Sequence, residues 1–370
     1  MAAQRAPACR SASLCVTGEA LIDLLPRETV EGQKAWLPKV GGSPFNVCIA
    51  AQRLGLPVKF FGGLSNDMFG QELYKYLEKE GVDLSLVHKF DKPSTLAFVS
   101  KTPGQDVQYA FFKENTADRA INSDHATATL EGCSFGAVHM SLGAITLQDE
   151  HMKKTFTSLF ETAHAKGSFT SFDPNIRDTM IEGSPAEYAK SVEDFIKLVD
   201  LAKSSDADIE YMYGKDTTLD EVAKRWLDIG ARVVVVTRGP EGASAWYKSG
   251  DSVETFTVAP PCEPPCTMDA EGKAVPVGDT VGAGDTCMGG LLFGCLGGLN
   301  LSELSLTPQL ASGEPWTVES ATRLKEILRE ATTAAAINVS RYGCDPPTQQ
   351  ELKAALKAVE ARKGPVEPVA

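Results

Sequence analysis

Short apolar runs alternate with amphipathic stretches along most of this chain. Four short runs are strand-like, at 58–62, 137–142, 168–173 and 232–237. The last is the clearest, because its four consecutive valines are typical of a strand buried on both faces. Helical periodicity predicts helices near or between them at 47–54, 71–80, 152–166, 188–201 and 219–229. Segment 14–25 is interpreted as the first strand, with Asp23 near its carboxyl end. This alternation predicts a largely parallel α/β sheet.

Two segments do not fit the alternation of strands and helices. Residues 34–40 and 94–112 have the pattern of short antiparallel strands, which predicts a small separate sheet. Near an active site such a sheet would act as a lid, with lid segments at about 26–40 and 92–118. Two loop-like insertions lie at 260–273 and 299–316. The folded domain is expected to span 14–362, between disordered tails at 1–13 and 363–370.

Composition excludes several classes of protein. The 370 residues include 36 basic and 49 acidic side chains, for a net charge of −13, which argues against nucleic acid and anionic membranes as partners. No apolar run approaches the ~20 residues that span a bilayer. The odd count of nine cysteines suits reduced thiols in a cytoplasmic compartment. Arg5 and Arg10, without acidic neighbours, leave a short transit peptide as an alternative to a disordered tail.

Segment 278–286 places small residues between two aspartates. Gly282, Ala283 and Gly284 permit a tight turn, and the apolar run that follows predicts a helix starting there. The free N–H groups and the dipole of a helix N-terminus bind anions. Asp285, beside this anion hole, could accept a proton from an attacking hydroxyl group. The segment is typical of a phosphoryl-transfer site, and a capped helix start with glycines for packing is the structural alternative.

Three further turns carry candidate ligand-binding residues. Segment 41–46 places two glycines before a helix and directs the amide of Asn46 toward a cleft. Segment 173–177 follows a strand, and ligands bind at the carboxyl ends of strands in open α/β sheets. Segment 237–242 follows the valine strand, where small residues suit a nucleotide. Each turn taken alone is equally consistent with an ordinary connection, and no Walker sequence indicates a P-loop enzyme.

Together, segments 41–46 and 279–285 resemble the two paired patterns of the ribokinase-like (PfkB) carbohydrate kinases, in that family's order and spacing. The resemblance extends from about residue 15 to residue 351. Segments 18–23, 116–118 and 173–177 are most similar to fructokinases. The resemblance implies a three-layer α/β/α sandwich with a mostly parallel central sheet and a small β-sheet lid.

The same resemblance implies roles for individual residues. Asp285 matches the catalytic base, and Gly282, Ala283 and Gly284 match the anion hole. Substrate-binding positions are matched by Asp23, Gly42, Asn46, Lys113 and Arg177. Nucleotide-binding positions are matched by Lys203, Ser205, Thr237, Gly239, Gly242 and Thr332. Metal-linked positions are matched by Asp208, Asp279 and Thr280, the last two where many members also bind a monovalent cation.

The implied reaction is ATP- and Mg²⁺-dependent phosphorylation of a monosaccharide, foremost D-fructose to fructose 6-phosphate, with K⁺ as a further cofactor. Two departures bear on it: Ser205 and Asp208 stand where the family has Asn-x-x-Glu, and Lys113 stands where fructokinases carry arginine. Alternative substrates are 2-keto-3-deoxygluconate, ribose or a nucleoside. An inactive, regulatory sugar-kinase-like protein is the alternative of another class. The lid also implies a homodimer, as in several relatives.

Overall fold

The computed structural model describes residues 12–100, 108–141, 147–262, 266–299 and 305–362. The predicted tails lie outside these ranges, except for residues 12 and 13, as do residues 101–107 of the predicted strand segment 94–112. No helix in the described ranges is long and apolar enough to cross a membrane.

A nine-stranded sheet forms the centre of the described fold. Its strands are β1 (Leu14–Thr17), β4 (Val58–Ser65), β5 (Val87–Phe90), β8 (Ala137–Ser141), β9 (Phe169–Asp173), β10 (Leu201–Ser205), β11 (Val233–Thr237), β12 (Ala243–Ser249) and β13 (Ser252–Val258). Their order across the sheet is β13-β12-β11-β10-β9-β8-β1-β4-β5. Only the β11–β12 and β12–β13 pairings among these are antiparallel, which confirms the largely parallel sheet.

Helices cover both faces of this sheet. One face packs against α1 (Ser43–Arg53), α2 (Met68–Lys79), α8 (Ala283–Cys295), α9 (Val318–Val339) and α10 (Gln349–Arg362). The other packs against α3 (Ser123–Glu131), α4 (Glu150–Ala165), α5 (Pro185–Ile196), α6 (Asp206–Tyr213) and α7 (Leu219–Ile229). In β11, Val233 and Val235 enter the first core and Val234 and Val236 the second. Because successive side chains of a strand point to opposite faces, an unbroken valine run serves both layers.

Four strands form the separate lid sheet: β2 (Leu21–Glu28), β3 (Lys34–Gly41), β6 (Thr95–Ser100) and β7 (Gln108–Phe112), in the order β3-β2-β6-β7. The expectation of one strand over 14–25 is therefore wrong, because β1 belongs to the central sheet and β2 to the lid. The chain turns at Gly18, whose φ is +134°. A Cβ atom there would lie 2.5 Å from Pro44 Cγ and 2.9 Å from the Ser141 carbonyl oxygen. Asp23 consequently lies on a lid strand.

Strand β10 was not predicted, and the predicted helix over 188–201 ends earlier, at Ile196. The sequence of β10 is Leu-Ala-Lys-Ser-Ser. Its central residue is Lys203, whose side chain is buried. A charged residue inside a strand removes the apolar pattern that identifies one. The helix over 219–229 was predicted with its observed bounds.

The insertion at 260–273 contributes to a two-stranded hairpin, β14 (Cys266–Met268) and β15 (Ala274–Pro276). Met268 is fully buried and packs with Ile337 and Ala355 of α9 and α10. In the second insertion, Trp316 packs against Tyr247 with its ring tilted by 43°, and the ring centroids lie 4.6 Å apart. Both insertions therefore pack against the helical layer that contains α9.

The strand order determines where a ligand can bind. Parallel strands β1, β8, β9, β10 and β11 all end at one edge of the sheet. At that edge α8 begins, packed closely between α1 and α9. A Cβ atom on Gly289 would lie 2.6 Å from Ala50 Cβ, and one on Gly290 would lie 2.8 Å from Ala331 Cα. Glycine thus allows α8 to reach the strand ends.

Candidate active site

A cavity of about 310 Å³ lies between the carboxyl edge of the central sheet and the lid. Eight predicted site residues line it: Asp23, Gly42, Asn46, Arg177, Thr280, Gly282, Gly284 and Asp285. These residues come from the lid, the start of α1, the turn after β9 and the start of α8. The structure thus brings together four segments that lie far apart in the sequence.

Seven lining residues were not among the predicted site residues: Glu19, Leu21, Ser43, Phe111, Asn175, Met180 and Val281. Each lies within a few residues of a predicted site position. In the sequence, these seven residues could have been identified only by their position next to the predicted site residues. Lys113 is absent from the described lining of the cavity, and Phe111 of the same segment lines it instead. The role of Lys113 as a sugar contact therefore stays a prediction.

The N-terminus of α8 lies at the segment for which an anion hole is predicted. Gly282 is its N-cap residue, with φ +74°, and no side chain caps this end of the helix. The N–H group of Ala283 donates to the Thr280 carbonyl oxygen at 3.2 Å. Asn338 supports the turn by donating to the Val281 carbonyl oxygen at 2.8 Å. An uncapped helix start facing a cavity leaves N–H groups of its first turn for an anion.

Asp285 lies in that first turn with its carboxylate held from two sides. Ser43 Oγ donates to its Oδ1 at 2.7 Å, and Asn46 Nδ2 donates to its Oδ2 at 2.8 Å. The side chain of Asp285 is buried, and burial raises its pKa, while the hydrogen bonds from Ser43 and Asn46 oppose that rise. A fixed carboxylate whose pKa is raised above its ordinary value is suited to accept a proton.

Asp23 faces the same cavity from the lid. A Cβ atom on Gly41 would lie 2.3 Å from Asp23 Oδ2, so glycine at position 41 makes room for this carboxylate. Burial raises the pKa of Asp23 to about 6, with the Arg177 charge acting against the rise and the Asp285 charge adding to it. Asp23 is thus positioned to accept hydrogen bonds from a polar ligand in the cavity.

The turn after β9 is strained and points into the cavity. Asn175 adopts φ +41°, which is uncommon for a residue other than glycine. Its Nδ2 lies 3.5 Å from Asp285 Oδ1, and its Oδ1 accepts from Arg177 Nη1 at 2.8 Å. Arg177 also donates to the Ile176 carbonyl oxygen at 2.9 Å. Strained residues of this kind persist where surrounding contacts hold them, which is frequent at ligand sites.

Lys203 lies close to the first turn of α8. Its Nζ contacts Asp173 Oδ2 at 2.6 Å, and both side chains are almost fully buried. Although burial acts to lower the pKa of Lys203, the adjacent Asp173 raises it to about 12. A Cβ atom on Gly284 would lie 3.6 Å from Lys203 Nζ, so the ammonium group is close to the first turn of α8. Its positive charge favours an anion at that turn.

The predicted metal-linked residues have structural partners. Ser205 and Asp208 form a capping box at the start of α6, and Asp208 Oδ1 also accepts from the Ile176 N–H at 3.3 Å. Asp279 accepts from the N–H groups of Val281 and Gly343 at 3.1 and 3.3 Å. Within the described ranges, no group of three or more histidine, cysteine, aspartate or glutamate residues could hold a metal. Metal binding by these residues stays a prediction.

A second cavity, of about 380 Å³, lies between the end of β13 and helix α9. Its walls include Val258, Ala259, Arg329 and Thr333. The predicted nucleotide turn adjoins it, because a Cβ atom on Gly242 would lie 2.1 Å from the Val258 carbonyl oxygen. Among the described lining residues, Thr333 takes the place expected for Thr332, and neither Thr237 nor Gly239 appears. The nucleotide roles of Thr237, Gly239 and Thr332 stay predictions.

Known proteins are similar to this chain in sequence and in fold. The pfkB family of carbohydrate kinases matches residues 11–351. A fructokinase from Rhizobium leguminosarum bv. trifolii is 37% identical over 295 residues, covering 80% of this chain and 82% of the relative. The structure of a fructokinase from Xylella fastidiosa with bound ATP has a TM-score of 0.75 at 23% identity, covering 95% of this chain and 99% of that one. A fructokinase double mutant from Vibrio cholerae O395, with fructose, ADP and potassium bound, has a TM-score of 0.69 at 23% identity, covering 96% and 99%.

Proposed function

Because this chain belongs to the pfkB family of carbohydrate kinases, we propose that it transfers the γ-phosphoryl group of ATP to D-fructose, giving fructose 6-phosphate. One observation carries the proposal: the buried carboxylate of Asp285 is held by Ser43 and Asn46 in the first turn of an uncapped helix. This arrangement places a base and an anion hole in the wall of one cavity. The similarity to fructokinases supports fructose as the sugar.

The geometry supports a direct transfer. A sugar hydroxyl in the cavity gives its proton to Asp285 as its oxygen forms a bond to the γ-phosphorus, and the bond to the ADP oxygen breaks. The N–H groups of Gly282 and Gly284 stabilise the charge on the phosphoryl oxygens during the transfer. Enzymatic phosphoryl transfer depends mainly on such positioning and electrostatic stabilisation. The lid strand that carries Asp23 covers the sugar side and limits access of water to the phosphoryl group.

The residues fit Mg²⁺ bound mainly to the nucleotide. Mg²⁺ commonly binds through one or two carboxylates together with substrate phosphates and water. Asp208 lies near the carboxyl edge of the sheet, and the first turn of α8 and Lys203 provide positive potential for phosphates. When bound, Mg²⁺ would offset the charge of the phosphates. We assign Asp279 and Thr280 to a K⁺ site, by analogy with the potassium-bound structure that shares this fold.

The second cavity is the proposed binding site for the adenosine part of ATP. It adjoins Gly242, at the end of the β11 turn, and lies on the sheet edge that the anion hole shares. Arg329 and Lys325 supply cationic side chains to its wall, while Val258 and Ala259 supply apolar surface. Ligand sites commonly combine apolar walls with a few polar groups.

We assign the first cavity, of about 310 Å³, to the sugar and call it the sugar cavity. The charged side chains that line it favour a neutral sugar over an anionic one. Three carboxyl groups line it, from Glu19, Asp23 and Asp285, and Arg177 is the one cation in its described lining. Arg177 already donates to Asn175 and to the Ile176 carbonyl oxygen. An anionic sugar acid such as 2-keto-3-deoxygluconate would meet the carboxylates of Asp23 and Asp285 at close range, and like-charge contacts cost several kcal/mol. A neutral sugar avoids that cost.

A panel of sugars in a coupled ADP-release assay tests this proposal. We expect fructose to give the highest kcat/KM, at least about 100-fold above 2-keto-3-deoxygluconate, because of the like-charge contacts. Ribose, nucleosides and glucose complete the panel. A higher kcat/KM for the sugar acid or a nucleoside would replace fructose with that substrate. ATP binding without ADP release on any sugar would indicate the inactive, regulatory alternative.

We also propose that the lid pairs two copies of the chain. The lid presents large apolar side chains to solvent, with Phe112 62% exposed, Trp36 48% and Leu37 38%. Exposed apolar surface of this kind is typical of a protein interface. Light scattering coupled to size exclusion is expected to give the mass of a dimer, and Trp36→Lys with Phe112→Lys should give the monomer mass. A wild-type monomer at micromolar concentration contradicts the proposal.

A reducing compartment such as the cytoplasm is the proposed location. Six cysteines in the described ranges are free thiols: Cys15, Cys48, Cys133, Cys287, Cys295 and Cys344. Unpaired buried cysteines are typical of proteins kept in reducing conditions.

A further inference from the structure

Glu19 is a partly buried acid in the wall of the sugar cavity that the reaction described above does not use. Its Oε1 accepts from the backbone N–H of Ser43 at 3.3 Å. Its Oε2 is shielded from solvent and has no hydrogen-bond partner among the described residues. A buried polar atom without a partner is costly, so its retention calls for an explanation.

Hydrogen bonds connect Glu19 through Ser43 to Asp285, the proposed base. Its own carbonyl oxygen would lie 2.8 Å from a Cβ atom on Gly42, so its main chain packs against that glycine. Its carboxyl group holds the N–H group of Ser43, and the hydroxyl of Ser43 donates to Asp285 Oδ1 at 2.7 Å. Two contacts from Glu19 therefore fix the turn from which Ser43 reaches Asp285.

Building on the proposed kinase reaction, we propose that Glu19 is a positioning residue for Asp285. Its carboxyl group sets the turn at Gly42 and Ser43, and this turn holds the carboxylate of the base against the sugar cavity. Asn46 holds the other carboxylate oxygen from the next turn of the same helix. Loss of the contact from Glu19 displaces one of the two donors that orient the base.

The charge state of Glu19 supports this role. Burial raises its pKa to about 8, the charges of Asp118 and Asp285 add to the rise, and backbone N–H groups oppose it. The phenol of Tyr188 is also coupled to Glu19. Around Asp285, the other interacting charged or titratable groups are Asp23, Asp173, Arg177, Lys203 and Cys344. At neutral pH Glu19 is neutral, so the base has one fewer negative charge beside it.

Two substitutions of Glu19 separate the contact from the charge. Glu19→Gln keeps an acceptor oxygen and is neutral at every pH, so its kcat at pH 7 should stay within about twofold of wild type. The decline in activity as Glu19 ionises above pH 8 should disappear in this variant. Glu19→Ala removes the acceptor and should lower kcat about tenfold, with KM for ATP unchanged. Wild-type kcat and an unchanged alkaline decline in both variants would overturn the proposal.

Substitution of Ser43 tests the next contact in the network. Ser43→Ala removes a donor that favours the ionised form of Asp285, so the acidic limb of the kcat profile should move up by about one pH unit. Ser168→Ala is the matched control, because Ser168 is also buried and its hydroxyl donates to the Phe135 carbonyl oxygen at 2.7 Å. An acidic limb that stays in place in Ser43→Ala contradicts the network.

Thermal unfolding tests Glu19 without any substrate. The folded protein keeps a proton on Glu19 up to about pH 8, whereas an unfolded chain loses it near the ordinary value of 4.5. The folded state therefore binds the extra proton, and wild type loses stability as pH rises from about 4.5 to about 8. Glutamine has no such loss, so the Tm of Glu19→Gln minus that of wild type should increase from pH 5 to pH 8.

Kinetics and thermal unfolding together distinguish failure of the Glu19 proposal from failure of the proposed kinase function. A Tm difference that does not change with pH overturns the neutral state of Glu19. Wild-type protein that turns over no sugar overturns the proposed function instead, while the thermal measurement still reports on Glu19. Turnover by wild type with no effect of Glu19→Ala overturns the positioning role alone.

Discussion

Asp285→Ala is expected to lower kcat at least about 100-fold, since a positioned general base contributes roughly 10²- to 10⁴-fold. The side chain is buried at the cavity, and Ser43 and Asn46 orient both of its oxygens. Alanine removes the group that accepts the sugar proton, while the anion hole at Gly282 and Gly284 remains. The loss should therefore appear in kcat, with KM for ATP little changed. Initial rates from coupled ADP release, with thermal melting to verify folding, measure it.

Two companion variants sharpen this experiment. Asp285→Asn preserves side-chain volume and should lose activity to a similar extent, because an amide does not accept the proton. Asp194→Ala, at an exposed aspartate paired with Lys197, should keep wild-type kcat. In wild type, activity should fall as pH drops through the pKa of Asp285, which burial raises. Near-normal turnover by folded Asp285→Ala would remove Asp285 as the base.

Gly282→Ala is expected to reduce kcat about 100-fold by distorting the anion hole, in line with the loss of one donor from an oxyanion hole. A Cβ atom at this position would lie 2.3 Å from Cys344 Sγ and 2.6 Å from Cys344 Cβ. The residue also adopts φ +74°, which strains any side chain. The first turn of α8 would have to shift away from the position that receives the phosphoryl group. Single-turnover kinetics with ATP and the preferred sugar measure the loss.

The structure offers a control and a rescue for this prediction. Gly250→Ala places a side chain at φ +61° in open space, in the turn between β12 and β13. It bears the same kind of backbone strain, so its kcat should stay near wild type. Cys344→Gly in the Gly282→Ala background removes the contacting atoms and should restore part of the activity. Equal losses in Gly282→Ala and Gly250→Ala would assign the effect to general destabilisation.

Several elements were predictable because their signals are local. The four valines of β11 indicated a strand buried on both faces, and the periodicity over 219–229 gave α7 with its observed bounds. The small residues at 282–284 and the apolar run after them indicated the helix start that α8 has. In each case neighbouring residues determine the backbone conformation, so a short window of sequence contains the information.

Other elements depended on partners far along the chain. Strand β10 lacks an apolar pattern because Lys203 is at its centre. The buried ammonium group of Lys203 is tolerated there because it pairs with the carboxylate of Asp173, which lies in another strand. The split between β1 and β2 follows from the packing of Gly18 against Pro44 and Ser141. Local periodicity contains no record of such contacts, since they arise only when distant segments meet.

The sequence by itself determined the layered α/β architecture, the lid and the phosphoryl-transfer segment around Asp285, because periodicity and turn chemistry act over a few residues. Only the tertiary structure decided how that aspartate is held. Ser43 lies 242 positions from Asp285 in the chain, and its hydroxyl reaches the carboxylate because α1 and α8 pack side by side at the sheet edge. The place of Glu19 behind Ser43 follows from the same packing. Protonation and orientation of the base depend on burial and on these contacts, which exist only in the folded chain.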